Sequence, residues 1–567
     1  MKKSLFLFSA LLISSSLYAQ RLPISGVYSG AEQSNQNVVP VLLDQDLTLT
    51  AINTVNPFTV RLAYDPVGDR LLMLQNNGDV FEVSTVSNAK FIRYTSADHG
   101  LSEVFGMDVD SRGNLYLVGN DRQGNLNQGQ IAKGTRISNS SANWALVAET
   151  EPYPLSNTAF DHTFNGVAVS PDDQYLFVNS GSRTDHGEIQ TANGAFPGLR
   201  ESPVTSAILR IPADSVNLYI EDDSTFLADN GYLFADGVRN NFDLTFDAEG
   251  RLFGTENSGD RDDSEELNWL REGLHYGFPW RMGGNDTPMQ FEGYDPESDL
   301  LVNQSSTAYQ GGFFYNDPDY PEPPAGLVFT EPVINEGPDA DLYRDPQTGD
   351  ILDASDQGET LSTFTSHRSP LGLVFDTESA LGGNYNGDAF VLSWTGTESS
   401  LLSGMQDTGE DIMHLEMTVN EETGEVRSAV TRIASGFTNP IDAELIGNSL
   451  YVLEFVFSGE GRLYKIEFPS FTSSEEEQGP SVFALIQNYP NPFNPTTTIP
   501  FELEKAGVVR IEVIDIMGRV IQTLFQGPKN PGRHEVVFDA SELSSGIYFY
   551  RLNFQDQSML KKMMLIK

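Results

Sequence analysis

One device recurs along the chain and restricts what it can fold into. It consists of an apolar strand, a tight turn bearing Asp and usually Gly, and a second apolar strand. It appears at Leu62-Ala63-Tyr64-Asp65-Pro66-Val67-Gly68-Asp69-Arg70-Leu71-Leu72-Met73, at Met107 to Leu117, at Val167 to Phe177 without the Gly, and at Leu244 to Phe253. Weaker copies run from Leu373 to Leu392 and from Ala443 to Leu453. A short Asp/Gly turn between apolar runs is a hairpin signal. Six such hairpins, with starts 45 to 129 residues apart, point to radial repetition of four-stranded sheets with long insertions. The expected fold is all-β, a six-bladed β-propeller, with the segment near Val38 to Ala51 closing the ring against the last blade. Two packed β-sandwiches are the competing arrangement.

Charge divides the 567 residues into unlike parts. The whole chain carries 80 Asp+Glu against 34 Lys+Arg, a net of -46, yet residues 481–567 are nearly balanced. Residues 21–480 hold 72 acidic and 23 basic side chains. The boundary is the polar stretch 470–480, which reads as a linker. So strong an acidic excess excludes nucleic acid and anionic lipid as bulk electrostatic partners, because phosphate binding needs clustered Lys and Arg. With no cysteine there is no disulfide framework, thiolate metal site or cysteine nucleophile. Seven histidines leave few groups for proton transfer near neutrality. Carboxylate-rich surfaces do suit calcium.

Both ends read as addresses. Residues 1–20 place Lys2 and Lys3 before the apolar run Leu5 to Ile13 and then Leu17-Tyr18-Ala19, the order of a secretory signal peptide cut after Ala19. No stretch reaches the roughly 20 apolar residues of a membrane span. From Ser481 onward, short strands alternate with turns at the spacing of a small antiparallel, Ig-like β-sandwich. Gln487-Asn488-Tyr489-Pro490-Asn491-Pro492-Phe493-Asn494-Pro495, Ile514-Asp515-Ile516-Met517-Gly518-Arg519 and Ser545-Gly546-Ile547-Tyr548 make this module resemble the type A C-terminal sorting domain of the type IX secretion system. That resemblance implies passage through the periplasm, recognition by the outer-membrane translocon, and release or surface attachment. The expected organisation is a signal peptide at 1–20, a propeller at 21–469, a linker at 470–480 and a sorting domain at 481–567.

The chemistry concentrates in the middle of the propeller. Gly237-Val238-Arg239-Asn240, Arg251-Leu252-Phe253-Gly254-Thr255-Glu256-Asn257, Asp263-Ser264-Glu265-Glu266-Leu267-Asn268 and Gly273-Leu274-His275-Tyr276-Gly277-Phe278-Pro279-Trp280 resemble the signature of the glucose/sorbosone dehydrogenase family. That family includes soluble sugar dehydrogenases dependent on pyrroloquinoline quinone (PQQ) and calcium. The resemblance implies His162 as general base and Arg239 and Asn240 as cofactor contacts. Glu256, Asp260, Asp262, Asp263, Glu265 and Glu266 crowd eleven residues, and gathering like charges is costly unless a cation sits among them. A calcium ion held through Glu256, Asn257, Ser258, Asp263, Glu265 and Glu266 is the expected occupant. The chain departs from the family pattern where an Asp partner for His162 should follow the hairpin: Gly181-Ser182 stands there, and the nearest carboxylate is Asp185. Counterparts of the family's further glutamine, lysine and paired arginines are missing near Gly100 to Gly106, Trp394 and Phe437 to Pro440.

Two functions follow as expectations. One is an exported, PQQ- and calcium-dependent oxidoreductase acting on a sugar or polyol, with His162 taking the hydroxyl proton. The other is a non-catalytic, calcium-stabilised propeller that binds carbohydrate or a surface partner through aromatics such as Trp280 and Trp394. Hydrolysis by paired loop carboxylates is a third chemistry.

Overall fold

The computed structural model describes residues 39–469 except Asn88, and 483–565 apart from 486–487, 489–492, 504, 515–518, 542, 544–545 and 555–556. The signal peptide and the linker expected from the sequence lie outside the described residues. Two compact units divide near residue 471.

All six hairpins of the sequence device form, and each supplies the two innermost strands of one blade. The inner strands are Thr59–Asp65, Glu103–Val109, Phe164–Val169, Asn241–Phe246, Pro370–Phe375 and Pro440–Ile446. Each packs beside the next in this order and the sixth returns to the first, which closes the ring and removes the two-sandwich alternative. The turn residues explain the device. Asp110 accepts the backbone N–H groups of Arg112 and Asn114 at 3.0 and 2.8 Å, with Gly113 at φ 77°. Asp247 does the same for Glu249 and Arg251 ahead of Gly250 at φ 79°. A short carboxylate side chain thus holds the turn while glycine takes the left-handed position.

The N-terminal segment closes the ring against the last blade, but only from Thr48 onward, and its earlier part pairs with blade five instead. Strand Thr48–Val55 pairs antiparallel with Gly461–Glu467 as the outer strand of blade six, and Val41–Leu42 pairs with Val426–Ser435 of blade five. Blade four corrects the expectation of uniform four-stranded sheets: it has three strands, Asn241–Phe246, Leu252–Glu256 and Glu266–Leu270. The chain then leaves for about a hundred residues, and strand Ile334–Pro338 joins blade five in parallel with its outer strand.

Alternate blades are latched at the channel. Asp108 of blade two accepts the Val169 N–H of blade three at 2.7 Å. Asp243 of blade four accepts that of Leu373 in blade five at 2.8 Å, and Asp442 of blade six that of Leu62 in blade one at 2.6 Å. Glycine lets the neighbouring inner strands approach this closely. A Cβ on Gly106 would stand 2.4 Å from the Asn165 carbonyl oxygen and 2.9 Å from Val118 Cβ. Gly106→Ala is therefore expected to destabilise the propeller by about 1–3 kcal/mol, read as a lower denaturation midpoint; an unchanged midpoint would show that the two strands separate without cost.

The C-terminal unit is an antiparallel sandwich of two sheets. One has Phe483–Leu485, Thr496–Leu503 and Gly532–Asp539; the other has Val520–Lys529, Gly507–Ile514, Gly546–Phe554 and Gln557–Leu565. Alternate residues such as Ile499, Phe501, Val509, Ile511, Tyr550 and Leu552 fill its core. No helix among the described residues is long and apolar enough to cross a membrane.

Candidate functional site at the hub

The loops entering the inner strands of blades three, four and five meet at one end of the ring. His162 lies two residues before strand Phe164–Val169, its backbone N–H donating to the Ser182 carbonyl at 2.8 Å. Its ring is 1% exposed. Nδ1 lies 3.4 Å from Ser182 Oγ, and Nε2 is buried with no hydrogen-bond partner. Burial, reinforced by the Arg239 charge, drives its pKa well below the usual imidazole value, so the ring is neutral. Asp185, the carboxylate nearest to Ser182 in sequence, is committed elsewhere. It receives His186 Nδ1 at 2.8 Å and Arg239 Nη2 at 3.0 Å. Burial alone would raise the Asp185 carboxyl, but the His186 hydrogen bond and the Arg239 charge outweigh it and hold it low.

Arg239 is wholly buried and all three of its side-chain nitrogens donate inward. Nε reaches the Asp185 carbonyl at 2.8 Å, Nη1 the Asn257 carbonyl at 3.1 Å, and Nη2 the Asp185 carboxylate. Asn240 and Asn257 belong to a ladder of amides between blades. Asn179 donates to Asn165, Asn165 to Asn240, Asn240 to Asn257, and Asn257 to the Pro370 carbonyl, at 2.8 to 3.2 Å. Arg239, Asn240 and Asn257 thus stand together at the hub, but as parts of a satisfied internal network.

The acidic block does not form one cage. Glu265 accepts the N–H groups of Ser258 and Ser369 at 2.9 and 3.3 Å. Asp263 pairs with Arg261 at 2.6 Å and with Asn285 at 3.0 Å. Asp260 accepts the Ala308 N–H at 2.7 Å. Ser258 gives its hydroxyl to the Ser264 carbonyl. Glu256 and Glu266 face each other across paired strands and share the Asn268 amide at 3.0 and 2.9 Å. Burial and then the Glu266 charge push Glu256 well above the usual carboxyl range, and burial lifts Glu266 to about 7. Among the described residues no three His, Cys, Asp or Glu are arranged to hold a metal ion. Glu256, Asn257, Ser258, Asp263, Glu265 and Glu266, the ligands expected for calcium, each take hydrogen-bond partners inside the protein. The crowded charge is offset by Arg261, Arg344, His367, backbone N–H groups and retained protons, which the linear spacing could not reveal.

Sequence reasoning missed His367. It too lies in a loop just ahead of an inner strand, and its Nε2 meets Asp262 at 2.7 Å while Arg344 reaches the other Asp262 oxygen at 2.5 Å. Burial opposes protonation of His367, but Asp262 prevails and its pKa rises. Thr363, His367 and Ser369 all have φ between 49° and 65°, a costly conformation held by the surrounding contacts. The available signal was position: the loop before blade five matches the one that carries His162 before blade three.

The long insertion after blade four roofs this end. Val302, Ala308 and Phe314 pack with Phe160, while Phe314 stacks on His186 at 4.3 Å. His186 Nε2 reaches the Phe313 carbonyl at 3.2 Å, and Arg200 pairs with Asp317 at 2.7 Å. Of the aromatics expected at the surface, Trp394 is instead buried against Phe455 at 4.8 Å. Trp280 is half-buried.

The donor set does not fit a tricarboxylated quinone. Such a ligand needs free cations, and Arg239, the cofactor contact that the resemblance implies, is wholly buried and already carries an internal carboxylate.

Comparison with known proteins adds two matched regions. Residues 62–329 match the family model Glucose / Sorbosone dehydrogenase, and 487–567 match Secretion system C-terminal sorting domain. Similar solved structures include the soluble aldose sugar dehydrogenase of Escherichia coli in its apo-form, at 16% identity and TM-score 0.46, over 74% of this chain and 99% of that one. The holo PQQ domain of pyranose dehydrogenase from Coprinopsis cinerea is 14% identical with TM-score 0.46, over 77% and 99%. The PQQ-bound aldose sugar dehydrogenase of Streptomyces coelicolor is 14% identical with TM-score 0.42, over 76% and 99%. These likenesses assign no residue roles. No curated protein matches the chain.

Proposed function

We propose that this chain, whose residues 62–329 match the Glucose / Sorbosone dehydrogenase model and whose C-terminal sorting domain indicates export to the cell surface or outside, is a sugar-binding propeller working without a quinone. One observation carries the reading. Arg239, the residue that the family resemblance implies as a cofactor contact, is fully buried and spends Nη2 on Asp185 and Nε and Nη1 on backbone carbonyls. Releasing it would leave the buried Asp185 carboxylate with only His186 and the Asp260 N–H as partners, a cost that quinone binding would first have to overcome. The same commitment of Glu256, Asp263, Glu265 and Glu266 to internal donors leaves calcium out of the reading.

Incubation of the exported protein with PQQ and calcium at micromolar concentration is expected to give no bound quinone and no dye reduction with aldoses. Stoichiometric quinone uptake with turnover lost in His162→Ala would overturn the proposal. The melting temperature should be the same in calcium as in chelator.

A further inference from the structure

The chain has four tryptophans, and among the described residues three are enlisted in cores: Trp394 is buried, while Trp144 and Trp269 pack against hydrophobic clusters. Trp280 belongs to none of those clusters. It stands half-exposed in a set of three rings with His275 and Phe329, its indole 5.5 Å from His275 and 6.3 Å from Phe329 between centroids. The indole and phenyl planes differ by 23°. Burial lowers His275 to about 4, so that ring is a neutral aromatic at physiological pH.

These rings are held in place. Trp280 Nε1–H donates to the Pro321 carbonyl at 2.6 Å, and the Trp280 carbonyl accepts from Thr287 N–H and Gln290 Nε2 at 2.8 Å. Phe329 is bridged to His275 through the backbone, and Thr330 N–H donates to the His275 carbonyl at 2.8 Å. Val328 beside them is 80% exposed. At the edge, Arg281 pairs with Glu331 at 3.0 Å and with Asp286 at 3.1 Å. Both carboxylates are more than half exposed and keep lone pairs free for further hydrogen bonds.

We infer that Trp280 and Phe329, rimmed by Arg281, Asp286 and Glu331, form a binding platform for a neutral pyranoside. A preformed aromatic surface loses little entropy on binding and complements the C–H face of a sugar ring, and the rim carboxylates and guanidinium suit its hydroxyls. The 72 acidic against 23 basic residues of the region 21–480 disfavour uronate or sulfated chains, which selects an uncharged saccharide. This inference rests on the sugar-binding reading and names its site.

The test is titration of the full exported chain with cellohexaose, xylohexaose, maltohexaose and laminarihexaose, followed by calorimetry and tryptophan fluorescence. At least one is expected to bind, with affinity lowered about tenfold or more in Trp280→Ala and in Phe329→Ala, and by a smaller factor in Glu331→Gln. Glu331→Gln lies at the exposed rim and keeps the test usable should an aromatic variant fail to fold. Absence of binding by all four sugars, or binding undiminished in the variants, overturns the platform. Quinone uptake is read separately, so failure here and failure of the quinone-free reading give different results.

Discussion

Replacing Arg61 with methionine should cost the propeller about 3–5 kcal/mol, because it removes one partner from a buried ionic cluster while nearly preserving volume. Arg61 starts on the inner strand of blade one and crosses the channel, 3% exposed. Nε donates to the Phe105 carbonyl of blade two at 2.9 Å, and Nη1 pairs with Asp243 of blade four at 3.2 Å and with Asp442 of blade six at 3.8 Å. Nη2 donates to the Phe242 carbonyl, and the guanidinium lies 4.0 Å above the Phe242 ring. One cation therefore ties four of the six blades. Beside it is a cavity of about 240 Å³ lined by Asp108, Asp243, Asp442 and Glu444. Without Arg61 this cavity loses its lining guanidinium, and its carboxyls are held together only through the protons they retain. Denaturant unfolding of Arg61→Met should show the loss at an unchanged slope, and adding Asp243→Asn should restore part of it. A loss below about 1 kcal/mol would mean that the latches alone hold the ring.

Stability is expected to fall as pH rises from about 6.5 to 8, the reverse of what ordinary exposed carboxylates would allow. Burial lifts Asp108 and Glu454 to about 7, and Asp442 and Glu410 to about 8, from ordinary values near 4. Glu266 joins them at about 7, and burial raises Asp243 and Glu444 in the same direction. His186 and His367 are also raised, through Asp185, Glu188 and Asp262. In this window the folded chain binds more protons than the unfolded chain, so each such group removes up to about 1.4 kcal/mol of stability per pH unit. Between about 4 and 6.5 the sign is mixed, because His99, His162 and His275 have depressed values and favour the folded state as pH rises. As pH falls from about 4 through their depressed folded values, about 2 for Asp407, the carboxyls of Asp65, Asp185, Asp262 and Asp407 take up protons and the stability of their ion pairs is lost. Melting temperatures measured at several pH values should drop by several degrees between 6.5 and 8. A flat or rising profile would show that the channel carboxyls are ionised throughout.

Much of the fold was legible because hairpin chemistry is local. The Asp at positions 65, 110 and 247 meets its backbone partners within four residues, and strands on either side are apolar, so the period of the ring is written along the chain. The three-stranded blade four was not legible, because its missing edge depends on where the chain goes after Leu270. At the hub, residue types and neighbourhood were legible while their use was not. His162, Arg239, Asn240 and Glu256 do converge, but Asp185, His186, Phe313 and His367 arrive from other segments and take up the hydrogen bonds and charges.

Alternation of apolar runs with Asp/Gly turns determined by itself that this chain holds a ring of sheets, since those signals act over a few residues, while the sorting module was legible only through its resemblance to a known family. Tertiary structure alone decided which partners the side chains of the central acidic cluster and Arg239 take within the protein. Electrostatic compensation depends on distance in space, and Asp185 pairs with Arg239 fifty-four residues away.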